Sequence, residues 1–214
     1  MKVQSFEQRN LSGPTSNISA IKDEKNSSVN QAANKAPLGF GCLQLSESGL
    51  PLEGCIALIQ QAYEGGAKFF DTAAIYGSNR NNEKLVGKAL AGKDKSNITI
   101  ATKCGIDENT FSFATSPQKF YASVEESLRN LGVDQLDLLY LHRTDPNDPQ
   151  EKFDESISAM KQLVIEGKVK KIGLSEVSES QIRRAHSLYP QNVGISSVES
   201  AYSIGTRRAD LNGV

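Results

Sequence analysis

Apolar and polar positions along this chain follow two periods in turn, and the switch between them repeats six times. Residues 38–43 read as a strand. Residues 52–64 then read as a helix, with Ile56, Leu58, Ile59, Ala62 and Tyr63 on a broad apolar face. Gly65-Gly66 closes it. Residues 68–72 form a second strand, and residues 82–91 a helix carrying Leu85, Val86 and Leu90. Residues 98–103 are β-branched and alternating, which predicts a third strand. Ser116 as N-cap and Pro117 at the first helical position open a third helix. Its core face is Phe120, Val124, Leu128 and Leu131. A fourth strand follows at 136–142, and a helix at 153–165 with Phe153, Ile157, Met160 and Val164 inward. Residues 169–174 are a fifth strand. Ser178 and Gln181 have capping-box spacing for a helix that buries Ile182, Ala185 and Leu188. Residues 193–198 are a sixth strand.

Strand and helix in strict turn call for a parallel sheet with helical crossovers. Two architectures satisfy that pattern: an open doubly wound sheet and a closed eight-stranded barrel. No Gly-x-Gly-x-x-Gly opens a helix, which argues against the dinucleotide-binding open sheet. Residues 1–36 break the pattern. Ser, Asn, Gln, Lys and Glu dominate there, with too little apolar surface to offset the entropy of ordering. They read as a disordered polar extension, and residues 37–214 as the barrel domain. Glu7, Asp23 and Glu24 argue against an organelle transit peptide, and no charged start leads into an apolar stretch as in a secretory signal.

The composition narrows the function classes. The 214 residues carry a formal net charge of −1, which gives no support for nucleic acid or an anionic membrane surface as partner. Hydrophobic content is 38% with no long apolar run, which argues against a transmembrane span. Cys42, Cys55 and Cys104 have neither disulfide-framework nor zinc-ligand spacing, so no metal site is expected, and a reducing, cytoplasmic setting is.

Chemistry gathers at strand ends. The run Phe69-Phe70-Asp71 ends in an acid, and Tyr76-Gly77 follows five residues later. Ala101-Thr102-Lys103 and Leu141-His142 end the next two strands. Asp71, Tyr76, Lys103 and His142, each at or just past a strand end, form an acid–base constellation where barrel enzymes keep their sites. The plain alternatives are a structural Asp71–Lys103 ion pair, a rim aromatic at Tyr76 and a core histidine at His142. Cys104 reads as a small buried hydrophobe, although a neighbouring Lys can lower a thiol pKa. His186, Arg183-Arg184 and Arg207-Arg208 read as solvated surface.

These motifs resemble the aldo-keto reductases. The resemblance runs from about residue 38 to the C-terminus and rests on residues 70–77, 101–103, 141–143 and Gly173-Leu174-Ser175-Glu176, in this order. Leu131-Gly132-Val133-Asp134-Gln135-Leu136-Asp137-Leu138 also matches the usual lead into the fourth strand. It implies a (β/α)8 barrel of TIM type that binds NADPH, or less often NADH, and reduces an aldehyde or ketone to an alcohol. It implies Tyr76 as proton donor and Lys103 as the cation that lowers the phenol's pKa from about 10. Asp71 would fix Lys103, and His142 would orient the carbonyl oxygen. Ser175 resembles the ligand of the nicotinamide carboxamide. Glu176 stands where many members have Asn, and Glu199 where Gln is usual. Gly41-Cys42-Leu43 resembles the first strand-end loop, which approaches the cofactor.

Only about six of eight βα units are present, whereas such a barrel takes roughly 250 residues. The strands that carry the family's nicotinamide-stacking aromatic and adenosine-phosphate ligands have no counterpart here. Open first and sixth strand edges are expected to invite oligomerisation. A non-catalytic, truncated reductase-fold protein acting as a binding or regulatory module is therefore the alternative to a reductase.

Overall fold

The computed structural model describes residues 39–210, apart from 115, 146, 148, 189–193 and 208. The predicted extension at 1–36, Leu38 of the first strand, Val193 of the sixth, and Arg208 lie outside the described residues.

Among the described residues six strands and five α-helices alternate. They are β1 (Gly39–Gly41), α1 (Leu52–Glu64), β2 (Phe69–Asp71), α2 (Asn81–Ala89), β3 (Thr99–Cys104) and α3 (Pro117–Leu131), then β4 (Leu136–Leu141), α4 (Gln150–Ile165), β5 (Val169–Ser175), α5 (Glu179–Ser187) and β6 (Ile195–Glu199). Every neighbouring pair is parallel, and the sheet order is the chain order, β1 to β6. A doubly wound sheet reverses its order at a switch point. This sheet never does. It is six successive units of a (β/α)8 barrel, with β1 and β6 at its edges.

The two-residue side-chain period divides each strand between two faces. Phe70, Ile100, Leu139, Leu141, Ile172 and Leu174 join the helix-side core with Phe120, Val124, Ile157 and Met160. Phe69, Ala101, Leu138 and Tyr140 pack on the inner face. Burying one such Leu, Ile or Phe contributes about 1.5–3 kcal/mol. Gly87 sets how closely α2 approaches α3: a Cβ there would lie 2.2 Å from the Asn130 carbonyl oxygen.

Local signals account for most boundaries. Ser178 and Gln181 form the complete capping box at α5, and Gly132 ends α3 with a left-handed φ of 63°. Ser116 and Pro117 occupy the predicted positions, but the Ser116 side chain makes no capping hydrogen bond. The first strand stops at Gly41, and Leu43 opens a short 3-10 turn to Ser46. Leu58 is exposed rather than buried on α1. No described helix is long and apolar enough to cross a membrane.

Candidate active site

The inner-face parity of successive strands carries polar groups to one end of the sheet. Asp71 ends β2, Lys103 lies one residue before the end of β3, His142 follows β4, Ser175 ends β5 and Glu199 ends β6. The register aligns them: Asp71 pairs with Ala101, Lys103 with Tyr140, Leu141 with Leu174, and Ser175 with Glu199. A bulge between Ile172 and Gly173 takes up one extra residue of β6. That extra residue switches the parity of β6. Ile195 therefore packs on the helix-side core, while Ser197 meets Tyr140 Oη at 2.6 Å on the inner face.

Lys103 is the centre. Its side chain is 1% exposed, and Nζ lies 2.6 and 2.5 Å from the two Asp71 carboxylate oxygens. Nζ also donates to the Thr72 carbonyl at 3.1 Å and stands 3.5 Å from Glu199 Oε1. The Tyr76 ring centroid is 5.1 Å from Nζ, and the Tyr140 centroid 5.8 Å. His142 meets the Tyr76 ring edge-on at 5.7 Å. Asp71, Tyr76, Lys103 and His142 thus come together from three strands and one loop.

Tyr76 sits on an irregular segment, so its position depends on what anchors that segment. Its backbone oxygen accepts from Asn82 N, and its N–H donates to Ala73 O. Asn82 is fully buried. Its side chain accepts from Thr72 Oγ1 at 2.7 Å and donates to Cys42 O at 2.7 Å and Ser46 Oγ at 2.5 Å. One amide thereby joins the β1 loop, the β2 end and the Tyr76 loop. Arg80, 1% exposed with a left-handed φ of 55°, pins the far end. It donates to the Ser123 carbonyl and hydroxyl and to Ser127 Oγ of α3, and pairs with Glu83, Glu108 and Glu126. Neither Asn82 nor Arg80 stood out among the sequence candidates. A usable signal existed: Asn82 shares the helix face of Val86 and Ala89, so a polar residue there needs buried partners.

Burial and charge set the protonation states. Burial alone would pull Lys103 down, but Asp71, Glu199 and Tyr76 outweigh it and hold the ammonium above its usual range. Burial raises the Asp71 carboxyl against the pull of Lys103. Burial also raises the Tyr76 phenol. Lys103 opposes this as expected, but Asp71 and Glu199 add to the rise, so the net shift is upward. That corrects the expectation of a lowered phenol. Burial, then Lys103 and Arg143, depress His142 to about 3, so its imidazole is neutral. His142 Nδ1 is buried without a hydrogen-bond partner.

The family signal in residues 37–213 matches the Aldo/keto reductase family. The chain belongs to the aldo/keto reductase family. It is 42% identical over 183 residues to a probable aldo-keto reductase 1 of Glycine max, covering 83% of this chain and 51% of that protein. A crystal structure of an aldo-keto reductase from Bacillus halodurans in its holo form is 32% identical, with a TM-score of 0.68 over 82% of this chain and 56% of that one. A thermostable aldo-keto reductase complexed with the inhibitor epalrestat is 25% identical, with a TM-score of 0.70 over 83% and 62%. This family member therefore spans about half the length of the curated relative.

The remaining family positions fall around the same mouth. Gly41 is exposed at the end of β1, Cys42 is buried beside it, and Leu43 is half-buried in the 3-10 turn. Burial pushes the Cys42 thiol up to about 12. Ser175 is 4% exposed, and its hydroxyl has no hydrogen-bond partner among the described residues. Glu176 adopts a left-handed φ of 54° and accepts from Ala201 N. Away from the site, Cys104 is a buried thiol raised by burial. His186 is exposed. Arg183 and Arg184 pair with Glu179 and Asp154 on the surface.

Proposed function

We propose that this chain carries the proton-transfer side of an NADPH-dependent reductase that converts an aldehyde or ketone to an alcohol, with NADH as the less common donor. The observation that carries the reading is the buried Lys103, held by Asp71 and facing Tyr76, with neutral His142 against the same ring. When bound, the nicotinamide supplies hydride to the carbonyl carbon. Tyr76 O–H gives its proton to the carbonyl oxygen as negative charge develops there. The Lys103 ammonium stabilises the phenolate that remains, and Asp71 keeps that ammonium in place. A neutral imidazole has one N–H to donate, so His142 can orient the oxygen without adding charge.

The residues present fit the nicotinamide end of the cofactor. A carboxamide needs one donor for its oxygen and one acceptor for its NH2. The free Ser175 hydroxyl and the neighbouring Glu199 carboxylate supply one of each. Glu199 need only accept, so the Gln usual in the family is not required. Gly41, Cys42, Leu43 and Glu176 complete the proposed cofactor side.

Fluorescence titration of the purified chain with NADPH tests the proposal. Saturable quenching or enhancement is expected, and none at millimolar NADPH would sink the catalytic reading. A non-catalytic binding module is the second reading; it predicts no NADPH-dependent turnover.

A further inference from the structure

Lys103 has more carboxylate around it than it needs. Asp71 already engages Nζ through both oxygens. Glu199 brings a second carboxylate to 3.5 Å from β6, placed there by the bulge opposite Ile172 and Gly173. With Asp71 alone the pair is neutral. With Glu199 the formal sum over the three groups is −1. Among the described residues, Lys103 is the one cation that acts on the Tyr76 phenol. His142 from β4 is neutral, Cys42 after β1 is a thiol, and Tyr140 from β4 is bonded to Ser197. Arg143 acts on His142, and Glu176 adds negative charge at Glu199.

We propose that Glu199 is a positioning residue that acts by charge: as the second carboxylate on Lys103, it keeps the proton on Tyr76 and biases the site toward protonating a carbonyl oxygen over deprotonating an alcohol. In reduction the phenol gives up H⁺ while the carbonyl carbon gains H⁻ from the nicotinamide. In the reverse direction a phenolate must form first and take the alcohol proton. A surplus negative charge on Lys103, whose ammonium faces the Tyr76 ring, favours the first state and opposes the second. The upward push that Glu199 exerts on the Tyr76 phenol agrees with this geometry. The catalytic direction rests on the function proposed above, but the charge effect does not.

The test is a spectrophotometric titration of the Tyr76 phenol. The chain has six tyrosines, so each protein is measured against its own Tyr76→Phe counterpart. Glu199→Gln removes the charge and keeps the shape, and should move the phenol midpoint down. Glu199→Asp keeps the charge and should stay near the parent. A Glu199→Gln protein that titrates no earlier than the parent overturns the proposal, as does a Glu199→Asp protein that shifts as far as Glu199→Gln. If circular dichroism shows that Glu199→Gln does not fold, Glu199→Ala makes the same comparison, since the Glu199 side chain is 38% exposed. Absence of NADPH binding by the parent, with the titration shift intact, would defeat the functional reading alone. Normal NADPH binding with no titration shift would defeat this inference alone.

Discussion

Replacing Asn82 with Ala should cost more than its size suggests. The side chain is fully buried and removes few apolar atoms. It leaves the Thr72 hydroxyl without its 2.7 Å acceptor, while the Cys42 carbonyl loses its 2.7 Å donor but keeps Leu45 N–H at 3.0 Å. Ser46, half-buried, can turn to water. A buried polar group stripped of its partner costs about 1–3 kcal/mol, and the Thr72 hydroxyl is that group here. A domain of this size has about 5–15 kcal/mol in total. Urea denaturation followed by circular dichroism should therefore show a midpoint lowered by about 0.5–1.5 M. Asn82→Asp refines the test. A carboxylate still accepts from Thr72 but opposes the Cys42 carbonyl, which needs a donor. Its pKa is raised in the folded state, so stability should be recovered as pH falls through that value and lost as pH rises through it. A loss below about 1 kcal/mol in Asn82→Ala, or an Asn82→Asp protein with no recovery in acid, would refute the hub reasoning.

The other predictions are independent of that amide. Arg80→Met leaves Glu83, fully buried, without its cation and should destabilise by about 3–5 kcal/mol, largely recovered in Arg80→Met/Glu83→Gln, as urea melts would show. His142 is depressed in the folded state, so protonation opposes folding: stability should be full above the ordinary value of 6.5 and fall as pH drops toward about 3. An NMR titration in a His186→Asn background should find the His142 ring unprotonated at pH 5, and a midpoint near 6.5 would contradict its burial. Each of β1 and β6 pairs on one side only among the described residues, so the 214-residue polypeptide should self-associate in size-exclusion chromatography; a concentration-independent monomer would show that these edges are not exposed.

How far the site could be read in advance depended on what positions each residue. Asp71, Lys103 and His142 were legible because each sits at or just past the end of a regular strand, where a two-residue period fixes both face and height, whereas Ser175 was placed by resemblance. Glu199 could be placed by resemblance but not by period: the inserted residue in β6 reverses which side chains face inward, and nothing in Ile195-Ser196-Ser197-Val198 announces that. The anchoring of Tyr76 was missed for another reason. Asn82 and Arg80 act through contacts with Cys42, Ser46, Ser123 and Ser127, up to 47 residues away in sequence. The sign of the Tyr76 shift was misjudged because one neighbour, Lys103, was counted, and burial with two carboxylates was not. In the fold, helix faces and alternation were legible to within a few residues. Leu58 departed because residues two apart on a helix do not share a face: Ile56 packs against the core and Leu58 does not.

The central claim is that the proton in carbonyl reduction comes from Tyr76 in the field of Lys103. NADPH-dependent reduction of a simple aromatic aldehyde, measured side by side in the parent and Tyr76→Phe, tests it most directly. We predict that Tyr76→Phe lowers kcat by about 10²-fold or more while the Kd for NADPH stays within about twofold of the parent. Turnover in Tyr76→Phe equal to that of the parent would contradict the claim.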